Sequence, residues 1–423
     1  MSYVSHLHCP KCDTRYDLDD NPFTCQTRDC NARIDVHYDY TRLKEVLSKK
    51  ILASRPLSVW SYFELLPLIN RDKIISLGEG GTPLLQSKRL AKVLGIRDLY
   101  IKDETRNPTW SFKDRPMTVG VSKANEQGAN TLASASSGNA AAALAAYCAK
   151  AGFACFCFVP DIAPMGKIAQ LILYGATVVR LRGLHKGDDP TVQLLREACS
   201  SYGWTPCPSF GPFNPYQAEG PKTLAYEIIE QFDWKSPDVA YVQVGAGGLL
   251  GGQWRGFTDF WTLGLVKTRP RMVAVQATGC APLVQAFHTN QDIFNILPCA
   301  SPQSVAEGLC DPFPWDGDLA LTAVRESKGV ALAVNDDAIL HAQQLLAKYE
   351  GVFAEPTGVT GLAGLIDALE SGEQDPSETI LVEATGGGLK DQDVVIERVE
   401  APPVIDPDLS QLKAVIQRQK HSK

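Results

Sequence analysis

The chain has 423 residues, of which 44% are hydrophobic and 21% charged, and its formal net charge is −7. That length is enough for two or three domains with a large buried core. The acidic balance argues against a nucleic-acid partner, because such surfaces cluster lysine and arginine. No apolar run reaches the length of a membrane span, and the first residues lack the basic and apolar blocks of a signal peptide. We therefore expect a cytoplasmic protein with no membrane partner.

The first forty residues stand apart because they contain four closely spaced cysteines. Cys9 and Cys12 form a C-x-x-C pair, and Cys25 and Cys30 follow with a wider spacing. Four thiolates on two turns suit tetrahedral zinc, and so short a segment needs a staple to fold. A ribbon of the same shape without metal is the alternative. We expect residues 1–45 to be structural and remote from any catalytic chemistry, and the other cysteines to be small buried hydrophobic side chains.

Beyond residue 45, short apolar runs alternate with helical segments. Strands are predicted over 98–102, 154–160, 177–181, 239–244, 271–276 and 379–383. Helices are predicted over 140–151, 166–174, 191–200 and 223–231. This alternation favours an α/β fold with parallel sheets.

Two runs of small residues adjoin predicted elements, one after a strand and the other before a helix. The run 245–252, GAGGLLGG, follows the strand over 239–244, and its glycines let backbone N–H groups wrap an anion. A dinucleotide site is the alternative, although the glycines do not follow the G-x-G-x-x-G spacing cleanly. The run 133–139, ASASSGN, precedes an alanine-rich helix whose first N–H groups favour an anion. A plain N-cap would also explain the second run.

Two further runs carry a resemblance to a known family. Residues 107–115 read NPTWSFKDR, and residues 383–391 read EATGGGLKD. Both resemble segments of threonine synthase, a fold-type II pyridoxal-phosphate enzyme. The resemblance implies a tryptophan synthase β-like fold, with two parallel-sheet α/β domains and a small N-terminal four-cysteine ribbon. It implies a ribbon over 1–45, a large domain over 46–120 and 225–400, a small mobile domain over 121–224, and a surface tail over 401–423.

The resemblance also assigns roles to individual residues. Lys113 is implied to hold pyridoxal 5′-phosphate as a Schiff base and to move protons on the substrate, whereas alone it would be an ordinary surface lysine. The glycine run is implied to bind the cofactor phosphate, Thr385 the pyridine nitrogen and Asn139 the phenolic oxygen. The implied cofactor-binding set is Lys113, Asn139, Gly245, Ala246, Gly247, Gly248, Leu249 and Thr385. The substrate carboxylate is implied to lie on Ser136, Ser137 and Gly138.

The chain departs from the threonine synthase pattern where that family binds the phosphate of its substrate. Ala140, Gly211, Pro212 and Gln217 stand at four positions where donors are expected. Without a bidentate arginine, a desolvated phosphate would be costly to bind. Trp110 replaces a family glycine and is expected to narrow or cap the substrate space. Gln217 and Trp110 are therefore the substrate-binding candidates that set this chain apart.

The resemblance and the departures together predict a pyridoxal-phosphate-dependent lyase or synthase. The reaction is elimination or replacement at Cβ or Cγ of an amino acid that lacks a phosphate leaving group. Threonine synthase, acting on O-phosphohomoserine, is the runner-up. A cysteate-synthase-like β-replacement, a hydroxy-amino-acid dehydratase and a non-catalytic binding protein of the same fold stay open. The sequence also leaves open whether zinc is bound and whether the chain forms a homodimer.

Overall fold

The computed structural model describes residues 3–182, 189–396 and 398–421. In chain order its strands are β1 (Val4–His8), β2 (Arg15–Tyr16), β3 (Asp35–Tyr38), β4 (Leu84–Gln86), β5 (Asp98–Asp103), β6 (Thr131–Ala135), β7 (Ala154–Pro160), β8 (Thr177–Leu181), β9 (Thr205–Pro206), β10 (Val239–Gln243), β11 (Arg271–Ala277), β12 (Ala331–Val334) and β13 (Thr379–Ala384). Its α-helices are α1 (Tyr40–Val46), α2 (Lys49–Ala53), α3 (Lys88–Leu94), α4 (Asp114–Glu126), α5 (Asn139–Ala151), α6 (Met165–Leu173), α7 (Pro190–Tyr202), α8 (Lys222–Gln231), α9 (Gly248–Thr262), α10 (Pro282–His288), α11 (Gly317–Glu326), α12 (Asp336–Glu350), α13 (Pro356–Glu370), α14 (Gln392–Ile396) and α15 (Leu409–His421).

The larger sheet has six strands in the order β12-β11-β10-β13-β5-β4. Its neighbouring strands run parallel, except that the edge strand β4 is antiparallel to β5. Every residue of β10 is buried, because α9 and α13 both contact this strand. Strands covered in this way are almost continuously apolar rather than alternating, which is why 239–244 and 379–383 could be predicted from the sequence.

The smaller sheet has four parallel strands in the order β8-β7-β6-β9. Helix α5 contacts β6 and β7, and its residues 140–148 are buried without interruption. A helix that is apolar on every side must be buried on every side. The alanine-rich segment is therefore a core helix, and its first residue lies at the end of the sheet where β6 terminates.

The predicted α/β fold with parallel sheets is confirmed, together with a separate cysteine-bearing segment at the N-terminus. The six predicted strands and four predicted helices are all present, with ends that agree within two residues. Strand β6 was not predicted, because its sequence TLASA is poor in the β-branched and aromatic residues that mark strands. Helix α13 was not predicted either, because three glycines interrupt its first nine residues.

The N-terminal segment forms a three-stranded antiparallel sheet in the order β2-β1-β3. Its third strand is tied to the larger body through buried polar contacts. Tyr38 donates from its hydroxyl to Glu219 Oε2 (2.8 Å), and Arg255 Nη2 of α9 donates to the Val36 carbonyl (2.9 Å). Because α9 begins at the predicted phosphate-binding turn, this sheet is packed on an element that shapes the candidate site.

Residues 391–423 form a compact unit of their own that contains α14 and α15. The division of the remaining chain into a large domain and a small mobile domain stays a prediction, since a domain boundary concerns which parts move together. Across the three described ranges, none of the helices combines the length and the apolar character needed to cross a bilayer.

Candidate active site

A cavity of about 330 Å³ lies where β6, β7, β10 and β13 end. Ligands of open parallel sheets bind outside the carboxyl ends of the strands, so this is the expected position for a site. The structure brings to it twelve of the thirteen residues that the sequence assigned to cofactor or substrate: Lys113, Ser136, Ser137, Gly138, Asn139, Gln217, Gly245, Ala246, Gly247, Gly248, Leu249 and Thr385. Their individual roles stay predictions.

Lys113 stands immediately before α4 and extends its amine into the cavity. The Nζ atom donates to Ser209 Oγ at 3.0 Å. Burial lowers the pKa of Lys113 to about 8, although the carboxylates of Asp316 and Asp311 act in the opposite direction. A lysine with a pKa near 8 is partly neutral at physiological pH. Lys113 can therefore act as a nucleophile and as a proton carrier.

The helix that follows Lys113 is anchored by a buried ion network. Arg115 is fully buried and pairs with Glu104 (2.6 Å) and Glu227 (2.8 Å), and Lys102 pairs with the same Glu227 (3.0 Å). Two cations and two carboxylates balance in this core, so none of these charges is left without compensation. The network fixes the first turn of α4, and therefore the origin of the Lys113 side chain.

The glycine turn between β10 and α9 is a cradle made of backbone. Gly247 has φ +107°, and a Cβ atom there would lie 2.6 Å from the Asp316 carbonyl oxygen. A Cβ on Gly245 would approach the Gly308 carbonyl oxygen to 3.0 Å. Only glycine fits at Gly247 without strain, and the first N–H groups of α9 have no partner within their own helix. The turn therefore fits a phosphate group.

Thr385 and Asn139 both contribute polar side chains to the cavity lining. Thr385 Oγ1 accepts from Gln243 Nε2 at 2.7 Å, so the hydroxyl hydrogen is left to donate. This arrangement fits the ring nitrogen of a pyridine. Asn139 Nδ2 donates to Glu355 Oε1 at 2.6 Å, which fixes the amide at the start of α5.

The serine loop before α5 also faces the cavity. Ser136 Oγ accepts from the Gly138 N–H at 3.2 Å, and α5 begins at the next residue. The N-terminal N–H groups of this helix point toward the cavity edge and carry a partial positive charge. The loop therefore fits a substrate carboxylate.

Three of the four departures from the threonine synthase pattern belong to the cavity wall. Ala140, Gly211 and Gln217 line the cavity, and Pro212 adjoins them. Gln217 Nε2 donates to the Phe210 carbonyl at 3.2 Å, whereas its buried Oε1 has no partner among the described residues. The wall thus offers an unused acceptor where the family pattern offers donors.

Trp110 is the one predicted site residue that does not line the cavity. Its backbone has φ +62°, a left-handed conformation that glycine adopts more easily than other residues, which fits the glycine of the family pattern. The indole is 54% exposed, and the backbone carbonyl accepts from Gly387 N–H at 2.8 Å. The predicted role of Trp110 in capping the substrate space stays a prediction, and the cavity's own lining gives it no support.

The structure adds residues that the sequence did not single out. Ser209, Gln243, Asp311 and Asp316 come from segments distant in sequence, and no local motif marks them. Glu355 had a signal, since the run 355–358, EPTG, also resembles the family. Burial raises the pKa of Asp311 to about 7 and that of Asp316 to about 6.

The four N-terminal cysteines converge away from this cavity. Their sulfur atoms all lie within 4.8 Å of one another, with Cys12 and Cys25 at 3.4 Å and Cys9 and Cys30 at 3.7 Å. Four thiolates at about 2.3 Å from one zinc ion would be separated by just under 4 Å. The donor set and its spacing therefore fit tetrahedral zinc, and occupancy stays a prediction.

Comparison with known proteins agrees with this site. A family model described as a pyridoxal-phosphate dependent enzyme matches residues 75–386. The chain is 40% identical to threonine synthase of Methanocaldococcus jannaschii, over 96% of this chain and 98% of that protein. It is 39% identical to threonine synthase of Methanosarcina acetivorans, over 97% and 98%. The processed form of threonine deaminase isoform 2 from Solanum lycopersicum has the same fold, with a TM-score of 0.61 and 22% identity over 75% of this chain and 87% of that one. The chain therefore belongs to the threonine synthase family of fold-type II pyridoxal-phosphate-dependent enzymes.

Proposed function

We propose that this enzyme catalyses elimination or replacement at Cβ or Cγ of an amino acid whose leaving group is not a phosphate. The observation that carries the reaction class is the enclosed Lys113 amine, with its lowered pKa, in one cavity with the glycine turn and Thr385. Pyridoxal phosphate supplies a ring that withdraws electrons from the Cα of a bound amino acid.

Each part of the chain has a distinct task in this proposal. The glycine turn 245–249 holds the cofactor phosphate, and Thr385 donates to the ring nitrogen. The serine loop and the start of α5 orient the substrate carboxylate. Lys113 holds the cofactor in the resting enzyme and, once released, carries a proton to and from the substrate carbon.

The proposed leaving group follows from the charges that surround the cavity. Among the described residues, five carboxylates line it, namely Asp189, Asp311, Asp316, Glu307 and Glu355, against the two lysines Lys113 and Lys167. Lys167 is itself paired with Glu307, and no arginine is found in the lining within the described ranges. The cofactor phosphate already needs the glycine turn. A second phosphate would meet these carboxylates and the free acceptor of Gln217, without an arginine to pair with it.

Threonine synthase itself is the second candidate. It is favoured by the names of the relatives that match at 40% and 39% identity over nearly the whole chain. The two proposals differ in the substrate and not in the position of the cofactor. They can therefore be separated on the purified enzyme.

The test compares O-phosphohomoserine, O-phosphoserine, homoserine, serine, threonine and O-acetylserine as substrates of the cofactor-loaded enzyme. We expect turnover of an unphosphorylated amino acid and little turnover of either phosphorylated one. Efficient conversion of O-phosphohomoserine to threonine would instead establish threonine synthase. Gln217→Arg adds the missing cation and should improve use of phosphorylated substrates.

The position of the cofactor has its own test, which does not depend on the substrate. Borohydride reduction followed by peptide mapping should find the label on Lys113. Lys167→Ala is the matched control, because Lys167 is the other lysine lining the cavity and its loss should leave the label in place. A label on Lys167 would contradict the proposed chemistry.

A further inference from the structure

Arg33 of the N-terminal segment packs against the wall of the active-site cavity. The residue follows Cys30 closely, is 5% exposed, and pairs with Asp35 beside it and with Asp318 in the first turn of α11 (2.8 Å). Its methylene groups lie against Gly211, where a Cβ would be 2.7 Å from Arg33 Cδ. Gly211 lines the cavity. Residues 1–45 are predicted to be remote from the chemistry, yet Arg33 packs directly against a residue of the cavity lining.

Asp316 occupies the space between Arg33 and the glycine turn. Its two carboxylate oxygens accept from the Gly211 N–H at 3.0 and 3.1 Å. A Cβ on Gly248, the first residue of α9, would lie 3.0 Å from Asp316 Oδ2. The Asp316 backbone N–H donates to the Ala246 carbonyl within the turn (2.8 Å). A buried carboxylate thus adjoins the place where the cofactor phosphate is proposed to bind.

Two anions this close repel each other strongly when they are buried. The cation of Arg33 opposes this repulsion, and its field lowers the pKa of Asp316 against the raising effect of burial. The Nε donor of Arg33 is buried without a partner among the described residues. Such a loss is unfavourable by itself. Arg33 therefore keeps this position at the cost of one unpaired donor.

We propose that Arg33 is a positioning residue for anion binding. It holds the Asp316 carboxylate on the Gly211 N–H and compensates the charge of that carboxylate, so that the glycine turn 245–249 can accept a phosphate group. This inference rests on the proposed placement of the cofactor phosphate on that turn.

The test measures binding to the cofactor-free protein rather than turnover. Wild type and Arg33→Met are titrated with pyridoxal phosphate, with inorganic phosphate and with pyridoxal, which lacks the phosphate. Methionine keeps the methylene packing against Gly211 and removes the guanidinium charge together with its ion pairs to Asp35 and Asp318. We expect Arg33→Met to bind both phosphate-bearing ligands on the order of tenfold more weakly and to bind pyridoxal as wild type does. Arg33→Lys should recover most of the loss.

A double-mutant cycle shows whether Arg33 acts through Asp316. In an Asp316→Asn background the carboxylate charge is gone, so Arg33→Met should have no further effect on phosphate binding. Arg28→Met is the control, because Arg28 belongs to the same segment and its side chain is 96% exposed. If Arg33→Met does not fold, Asp318→Asn breaks the same anchor from α11 and should weaken phosphate binding in the same direction.

The outcomes separate this inference from the proposed function. If wild type binds pyridoxal phosphate no better than pyridoxal, the placement of the phosphate on the turn is wrong, and the inference about Arg33 is wrong with it. If wild type prefers the phosphate and the Arg33 variant keeps the whole preference, only the inference is overturned. Equal weakening of pyridoxal and pyridoxal phosphate would also overturn it, because that result indicates a general structural role.

Discussion

The pKa of Lys113 is lowered because the cavity desolvates its amine, and the charged neighbours of Lys113 restrain that effect. The fall of its pKa to about 8 comes first from desolvation, while Asp316 and Asp311 raise the pKa. At pH 7 about one amine in ten is then neutral, against far fewer than one in a thousand at the ordinary lysine value. Reactivity at this residue should therefore follow pH in a defined direction.

We predict that the rate of covalent attachment of pyridoxal to the cofactor-free protein rises with pH and levels off above about pH 8. Asp311→Asn removes a charge that raises the pKa of Lys113, so the midpoint should move to lower pH. Rapid-mixing absorbance measurements between pH 6 and 10 give the profile. Asp375→Asn, on the surface, is the control. A midpoint near the ordinary lysine value would mean that the amine is not enclosed as described.

Trp110 stores backbone strain at a position where the family pattern has glycine. A non-glycine residue at φ +62° costs about 1–2 kcal/mol relative to an ordinary conformation. The indole contributes little burial to offset this cost, since it is 54% exposed. The strain belongs to the backbone and not to the ring.

We predict that Trp110→Gly is more stable than Trp110→Ala by about 1 kcal/mol. Both variants lose the indole, so the comparison isolates the left-handed conformation. Denaturant unfolding of the two variants gives the difference in free energy of unfolding. Equal stability would show that the backbone around residue 110 relaxes in the alanine variant. The left-handed conformation would then not explain the glycine of the family pattern.

At the scale of elements, α4 and α8 are joined to β5 by the buried charges around Arg115. Arg115, Glu104 and Glu227 have no exposed side-chain surface. Removing one member leaves an uncompensated charge in the core, which is far more costly than the loss of a surface pair. The residues that fix Lys113 are thus part of the folding core.

We predict that Arg115→Met lowers the free energy of unfolding by about 3–5 kcal/mol. Arg97→Met, which breaks the exposed pair with Asp98 (2.8 Å), should cost no more than about 1 kcal/mol. Chemical denaturation of both variants in parallel measures the contrast. A small loss for Arg115→Met would not fit the network. An unchanged pKa for Glu227 in this variant would not fit it either, because Arg115 acts together with Lys102 to hold that pKa down to about 2.

At the scale of the whole molecule, the N-terminal segment is a small folding unit whose Arg33 packs against Gly211 of the cavity lining. Its four sulfur atoms lie within 4.8 Å of one another, and it has few apolar residues with which to hold its shape without them. Metal binding to such a set is coupled to folding. Substitution of these cysteines should therefore first disorder the N-terminal sheet.

We predict about one zinc ion per chain in the purified protein. The Cys9→Ser and Cys12→Ser double variant should lose the metal and unfold at a lower temperature. Elemental analysis and thermal unfolding measure the two effects, with Cys199→Ser as the control for a cysteine outside the cluster. The metal-free ribbon is favoured if the purified wild-type protein contains no metal and if added zinc does not change its unfolding temperature.

Much of the fold could be predicted because its signals are local. The apolar runs of β10 and β13 indicate parallel strands, and the glycines after β10 indicate a turn with little room for side chains. Strand β6 escaped prediction, because alanine and serine carry little propensity and only its neighbours β7 and β9 make it a strand. In the same way, the sequence shows that Trp110 departs from the glycine of the family pattern. It does not show where the indole lies, because the left-handed backbone at Trp110 sets the direction of its side chain.

The sequence by itself determined the family, the fold class and most of the candidate cofactor-binding residues, because those residues lie in short runs whose spacing the chemistry constrains. Only the tertiary structure decided what surrounds them. Ser209 on the Lys113 amine, Gln243 on Thr385, and Asp316 between Arg33 and the glycine turn are contacts between segments far apart in the chain. No local pattern encodes such pairs, because they exist only once burial of the shared core has brought the segments together.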